Sequence, residues 1–251
     1  INEKIVPELY LLGAQKAGTT ALAEALMSGG IKTPNKNEKE FQFFKHMDWH
    51  GHHVDKKSKW LDEMVDCPRY GRKVYGDFSP INLALVPGCM LPADGQPANL
   101  PSLLSSWYGA SRSRVTFVVM MRDPLSRMHS GLYQESWHQK DGESVNQWMK
   151  RTYKETKETP NDVKGIITRS LYGKQLQAWL QYFEAAQFLV TASSSVLKKH
   201  EMQICPLLKV KLRWELSCQE DLGTYHHEHG SLEDEVNEEV RRDWYSFYRK
   251  D

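Results

Sequence analysis

Neither sign of charge dominates this sequence. Its 251 residues carry 33 Lys and Arg against 32 Asp and Glu, a net charge of +1. Broad polyanion binders carry a strong basic excess, so that class is excluded and only local basic pockets remain. Long hydrophobic runs are lacking too. The longest mostly apolar stretch, Val115 to Met121, is far short of the ~20 residues that cross a bilayer. No secretory signal pattern stands at Ile1. Because the first residue is not Met, the expectation is that a leader or anchor has been cut away. The four cysteines, Cys67, Cys89, Cys205 and Cys218, make no CxxC pair, which excludes a zinc-ribbon or disulfide-dense scaffold. One bridge between Cys205 and Cys218, or free core thiols, are both open readings. No Asn-x-Ser/Thr sequon occurs, which weighs against a secretory route. Internal repeats and low-complexity tracts are also missing.

What is present is the alternation of an α/β protein. Glu8 to Leu12 is a short apolar run ending at Gly13 and reads as a buried strand. Thr19 to Met27 has helical spacing and strong helix formers. Val115 to Met121 reads as a second buried strand, ended by Asp123-Pro124, with a helix over Leu125 to Gln134. A helix over Ser170 to Phe183 precedes a third strand, Phe188 to Thr191. Strands alternating with helices predict a central parallel sheet flanked by helices, in a single domain over 1–251. Gly88 to Pro101 is expected to be a surface loop, and Trp137 to Pro160 a lid or substrate loop. Ser231 to Arg249 reads as an amphipathic helix with Val236, Val240, Trp244 and Phe247 on one face.

The sharpest motif is Gly13-Ala-Gln-Lys16-Ala-Gly18-Thr19-Thr20, between a strand and a helix. Glycines let successive N–H groups curl inward, and the helix adds its positive end, which together make an anion cradle. A Walker A loop places Lys directly after its second Gly, whereas Thr19 follows Gly18 here. The plain alternative is an ordinary strand–helix turn. A second segment, Arg122-Asp-Pro-Leu-Ser-Arg127-Met-His-Ser130, follows the second strand. It offers a planar guanidinium and a helix-borne hydroxyl for a phosphate.

On these residues the chain resembles the PAPS-dependent sulfotransferase superfamily (PAPS, 3′-phosphoadenosine 5′-phosphosulfate), most closely its heparan sulfate and Golgi carbohydrate branch. The likeness runs from Glu8 to about Val190. It implies a three-layer P-loop-like fold, PAPS as donor and 3′-phosphoadenosine 5′-phosphate (PAP) as product. It also implies that Lys16 contacts the phosphosulfate bridge while Gln15, Ala17, Gly18, Thr19 and Thr20 line the 5′-phosphate. Arg122 and Ser130 would hold the 3′-phosphate. Arg169-Ser-Leu-Tyr172 is similar to a segment of the Golgi enzymes near the nucleotide, which adds Arg169 and Tyr172. Glu40-Phe-Gln-Phe-Phe44 resembles the Glu-x-x-Phe-Phe pattern of the heparan branch, 24 residues after Lys16, and implies Glu40 as general base. Glu38 and His46 are its rivals. The histidines 46, 50, 52 and 53 lack the spacing of a metal site.

Two departures stand out. The heparan branch has a Lys in a Glu-Lys-Thr-Pro stretch, where this chain has Gly76-Asp77-Phe78-Ser79-Pro80. Its basic Gly-Arg loop is replaced by Gly223 to Gly230, with His226, His227 and His229. Both argue against a strongly anionic polysaccharide acceptor. Trp107, Tyr108, Tyr133, Trp137 and Trp148 are candidate walls for a small or ring-shaped acceptor. The expected activity is sulfuryl transfer to a hydroxyl or amine of a small molecule or glycan. No metal or nucleic acid is expected to take part, and membrane contact only through a removed anchor. The resemblance points to the Golgi lumen, with the cytoplasm as the alternative. A P-loop kinase and a nucleotide-binding protein without turnover are the competing readings.

Overall fold

The computed structural model describes residues 1–34, 39–47, 49, 53–68, 71–89, 98–135, 142–159, 165–194, 204–216 and 231–251, with the backbone alone at 53 and 54. Four parallel strands form the central sheet: β2 (Leu9–Gly13), β4 (Gly76–Asp77), β5 (Thr116–Met121) and β6 (Phe188–Ala192). Their spatial order is β4-β2-β5-β6. A separate antiparallel pair joins β1 (Lys4–Ile5) to β3 (Val65–Asp66).

The strand runs Leu9–Gly13 and Thr116–Met121 are apolar almost throughout because helices cover both faces. All five residues of β2 and the first five of β5 are buried. Strand β6 lies outermost among the described strands and is partly exposed, with Val190 half open to solvent. Strand β4 carried no apolar run to announce it. It is two residues long, and a Cβ on Gly76 would stand 2.6 Å from the Phe78 ring.

The helices are α1 (Thr19–Ser28), α2 (Phe43–His46), α3 (His53–Asp62), α4 (Leu100–Tyr108), α5 (Pro124–Glu135), α6 (Val145–Glu158), α7 (Gly165–Thr168), α8 (Tyr172–Leu180), α9 (Ile204–Leu212), α10 (Leu232–Glu235) and α11 (Glu238–Tyr248). One hydrophobic core surrounds the sheet and holds an aromatic knot of Phe44, Trp60, Trp107 and Tyr108. A second cluster packs Leu125, Met128 and Leu132 of α5 against Trp148, Ile166 and Trp244. Helix α5 is thereby held from the side of α6 and α11.

Three expectations are corrected. The stretch read as a lid contains α6, started by a capping box in which Ser144 and Gln147 bond each other's backbone. Its Val145, Trp148, Met149, Thr152 and Thr156 form a buried stripe at helical spacing, so α6 is a core helix. The stretch read as a surface loop ends in the core: Ala98 and Leu100 are fully buried, and Asn99 caps α4 with Pro101 in its first turn. Residues 90–97 of it lie outside the described residues. The C-terminal helix is two helices, because Asn237 caps a fresh start by accepting from the Val240 amide at 3.0 Å. Val236, Val240 and Trp244 are buried as the pattern predicts, and Tyr248 joins them while Phe247 is half-buried. Helix α8 begins at Tyr172, not Ser170. Cys67 and Cys89 are free thiols and Cys205 is disulfide-bonded; Cys218 lies outside the described residues.

Candidate active site

The chain leaves β2 toward β4 on one side of the sheet and leaves β5 toward β6 on the other. Adjacent strands whose connections diverge open a crevice at their carboxyl ends, the usual ligand position in such sheets. Gly13–Thr20 occupies the end of β2, and Arg122 the end of β5. Two contacts bind them together. The Ala14 amide donates to the Met120 carbonyl at 2.7 Å, and Arg122 Nη1 donates to the Lys16 carbonyl at 3.2 Å.

The loop's backbone is set for an anion. Gly18, the N-cap of α1, has φ 86°, and no side chain caps the helix, so the amides of its first turn face outward uncapped. Lys16 itself sits in the left-handed region at φ 68°, an unfavourable conformation for a residue with a side chain. Gly13 has no room for a side chain: a Cβ would meet the Pro80 carbonyl at 2.6 Å and Leu83 Cβ at 3.0 Å. Among the described residues no acceptor meets the Lys16 ammonium. Burial, and then the neighbouring Arg122, lower its pKa.

The predicted loop residues are not equivalent. The Ala17 amide is already taken by the Ala14 carbonyl at 3.0 Å, so Ala17 offers no free donor. Gly18, Thr19 and Thr20 keep theirs at the helix start. The Gln15 side chain accepts from Arg169.

The second predicted group comes from the end of β5, from α5 and from the start of α8. Ser130 lies on α5, 1% exposed, and its hydroxyl has no hydrogen-bond partner among the described residues. A buried unpaired hydroxyl is costly, and an incoming phosphate oxygen would satisfy it. Tyr172, at the start of α8, is buried near Arg122 and Arg127, and burial raises its phenol pKa. Arg169 is already engaged. It pairs with Glu135 at 2.5 Å and donates to the Gly165 carbonyl at 3.1 Å as well as to Gln15. It therefore acts as a strut between the loop and α5 rather than as an unpaired charge. Arg127, quoted in the motif without a role, is fully buried and ties α5 to Ser170 and to the Ile166 carbonyl. Loss of hydration lowers its pKa.

Glu40 is half-buried and reaches the loop through its neighbour. Lys39 Nζ donates to Thr20 Oγ1 at 2.8 Å and pairs with Glu40 at 3.0 Å. Gln42 Nε2 donates to Glu40 at 2.8 Å, while the Gln42 amide donates to Ser79 Oγ at 2.8 Å. Ser79 in turn donates its amide to Asp77 at 3.0 Å, and Asn82 Nδ2 donates to the same carboxylate at 3.0 Å. Burial pushes Asp77 up to about 6, against the pull of these bonds, with nearby Glu40 adding to the rise. Lys39, Gln42, Asp77 and Asn82 escaped the sequence reading. Their signal was nearness to the Glu-x-x-Phe-Phe and Asp-Phe-Ser-Pro segments, but not spacing.

Phe44 is buried against Trp60 and Trp107, which anchors the segment carrying Glu40. Phe41 and Phe43 stack at 5.7 Å and are half-buried beside it. The predicted aromatic walls are mostly elsewhere. Trp107, Tyr108 and Trp148 are core residues, Tyr133 donates to Glu235, and Trp137 lies outside the described residues. The rival base His46 is exposed and contacts Gln42 at 3.3 Å. Glu38, His50, His52 and the 223–230 loop fall outside the described residues.

With this geometry, comparison of folds is informative. A sulfotransferase from Alicyclobacillus acidocaldarius superimposes with a TM-score of 0.62 at 16% identity, covering 98% of this chain and 92% of that one. The fold is similar to that of a sulfotransferase. A sulfotransferase domain from the curacin biosynthetic pathway also matches, at TM-score 0.41 and 11% identity, over 88% of this chain and 82% of that one. No protein-family model and no curated protein matches the sequence.

Proposed function

We propose that this chain is a PAPS-dependent sulfotransferase acting on a hydroxyl or amine. The observation that carries the reading is the uncapped Gly13–Thr20 loop at the sheet's divergence point, tied to Arg122, with Ser130 buried on the following helix and without a hydrogen-bond partner among the described residues. The residues fit the donor. Lys16, Gly18, Thr19 and Thr20 would hold the 5′ end, while Arg122, Ser130 and Tyr172 would hold the 3′-phosphate. Arg169 and Gln15 would brace the two.

When bound, PAPS supplies an electrophilic sulfur and a phosphate leaving group. The chain's own residues do the rest. Glu40 accepts the proton of the acceptor hydroxyl or amine. Lys16 places positive charge where negative charge grows on the leaving phosphate. The α1 amides fix the phosphate without reorganising, so most of the acceleration comes from positioning and electrostatics. Phe41 and Phe43, not the buried tryptophans, are the aromatic surfaces available to an acceptor near Glu40. The heparan-branch assignment and the Golgi lumen are what the resemblance implies, and a single domain is what the length implies.

Thermal-shift titration with PAP, beside ADP and ATP with magnesium, tests the reading. A ligand at ~100 times its dissociation constant stabilises by about 2.7 kcal/mol. The expected result is a large shift with PAP. A shift confined to ATP with magnesium would move the assignment to a P-loop kinase.

A further inference from the structure

The resemblance leaves this chain one lysine short. Phe78 occupies the position of the second lysine, and it is fully buried against Gly76. No side chain at that place reaches the crevice as a cation. Another ammonium does. Lys39 Nζ stands 2.8 Å from Thr20 Oγ1, in the first turn of α1, with its side chain only 17% exposed.

That is an electrostatically adverse place for a cation. The amino end of a ten-residue helix carries partial positive charge, which repels ammonium and attracts anions. Lys16 on this loop and Arg122 at the end of β5 beside it add two more positive groups. A lysine held there needs an anion beside it. That anion is Glu40, at 3.0 Å. Glu40 is the residue assigned as base, so the ion pair occupies the group that must meet the acceptor.

We infer that Lys39 is the second donor-side cation of this site, replacing the lysine missing at position 78, and that it exchanges Glu40 for the 5′-phosphosulfate group when the donor binds. The inference rests on the sulfotransferase reading. Its consequence is a built-in order: Glu40 is released to receive a proton once the donor has drawn Lys39 away. No covalent bond to Lys39 forms or breaks; its ammonium exchanges one anionic partner for another. The Gln42 bond to Glu40 remains and keeps the carboxylate in place.

The experiment measures binding of two nucleotides by calorimetry. PAP carries both phosphates, and adenosine 3′-monophosphate lacks the 5′ one. In Lys39→Met, PAP affinity is expected to fall about tenfold or more, as for loss of one charge-assisted contact, with adenosine 3′-monophosphate unchanged. Lys39→Arg should restore PAP binding. Glu40→Gln should bind PAP about two- to fivefold more tightly than the parent, because Lys39 no longer leaves an ion pair. That gain should vanish in the Lys39→Met/Glu40→Gln double variant. Unchanged PAP affinity in Lys39→Met, or equal losses for both nucleotides, would overturn the inference and leave the sulfotransferase reading standing. Failure of the parent protein to bind PAP at all would overturn that reading instead, and the inference with it. Melting temperatures of each variant separate lost binding from lost folding.

Discussion

The two regions facing the crevice are built by opposite means. Gly13–Thr20 is contiguous in sequence and offers backbone amides, positioned by two glycines and a helix start. The Arg122, Ser130 and Tyr172 region gathers side chains from β5, α5 and α8, held by the Arg127 and Arg169 struts. The first depends on its backbone and on the Lys16 side chain. The second depends on its side chains. Between them Glu40 depends on both, since Lys39 links it to Thr20 and Gln42 links it to Ser79.

The largest test of this contrast falls on Glu40. Glu40→Gln should lower turnover by about 10²–10⁴ while PAP still binds, because a general base is lost and the loop is untouched. Steady-state rates beside calorimetry check this; an unaltered rate would remove Glu40 as the base. Lys16→Met should lower the rate by roughly 10²–10³ with little change in melting temperature, since its ammonium meets no acceptor among the described residues. Here the loop's one chemical side chain is separated from its backbone cradle.

Asp77 tests what supports the cradle from below. Its folded pKa is raised from 3.8 to about 6, so the native state binds this proton more tightly than the unfolded chain. Its stabilising contribution is full below about pH 4 and is lost as pH rises through about 6, the opposite of a salt-bridged aspartate. The swing is on the order of 3 kcal/mol. Chemical denaturation of the parent and Asp77→Asn across pH 4 to 7 should show this slope in the parent only. Gly13→Ala should cost about 2 kcal/mol, because the new Cβ strikes the Pro80 carbonyl, and should weaken PAP binding as the loop shifts. An unstrained, fully binding Gly13→Ala would show that the cradle is less backbone-determined than argued.

The smallest effect belongs to Ser130. Ser130→Ala removes a buried hydroxyl that has no partner among the described residues, so stability should hold or rise slightly. PAP affinity should fall by about tenfold at most, and adenosine 5′-monophosphate, lacking the 3′-phosphate, should bind unchanged. Loss of stability would mean that the hydroxyl already has a native partner.

Much of the scaffold was legible because local chemistry agrees with the fold. Leu9–Gly13 and Thr116–Met121 are β-rich apolar runs that no helix period explains, and their strand ends matched within a residue. Helix α6 was missed although Ser144-x-x-Gln147 is a capping signature, because its polar surface masked the stripe of Val145, Trp148, Met149, Thr152 and Thr156. Strand β4 was illegible because a glycine and a buried aspartate form a strand only where β2 offers its edge. The aromatic candidates misled for a general reason: large rings bury themselves first, so Trp107 and Trp148 went to the core.

The sequence by itself determined the parallel α/β scaffold, the glycine-bearing Gly13–Thr20 loop and the motif at the end of β5. These depend on periodicity, glycine and residues close together in the chain. Only the tertiary structure decided that the Ala17 amide is taken, that Arg169 is a neutralised strut, that Ser130 is buried without a partner among the described residues, and that Lys39 touches Thr20. Each of those joins residues distant in sequence, and each turns on which hydrogen-bond partners remain unsatisfied after the chain has packed.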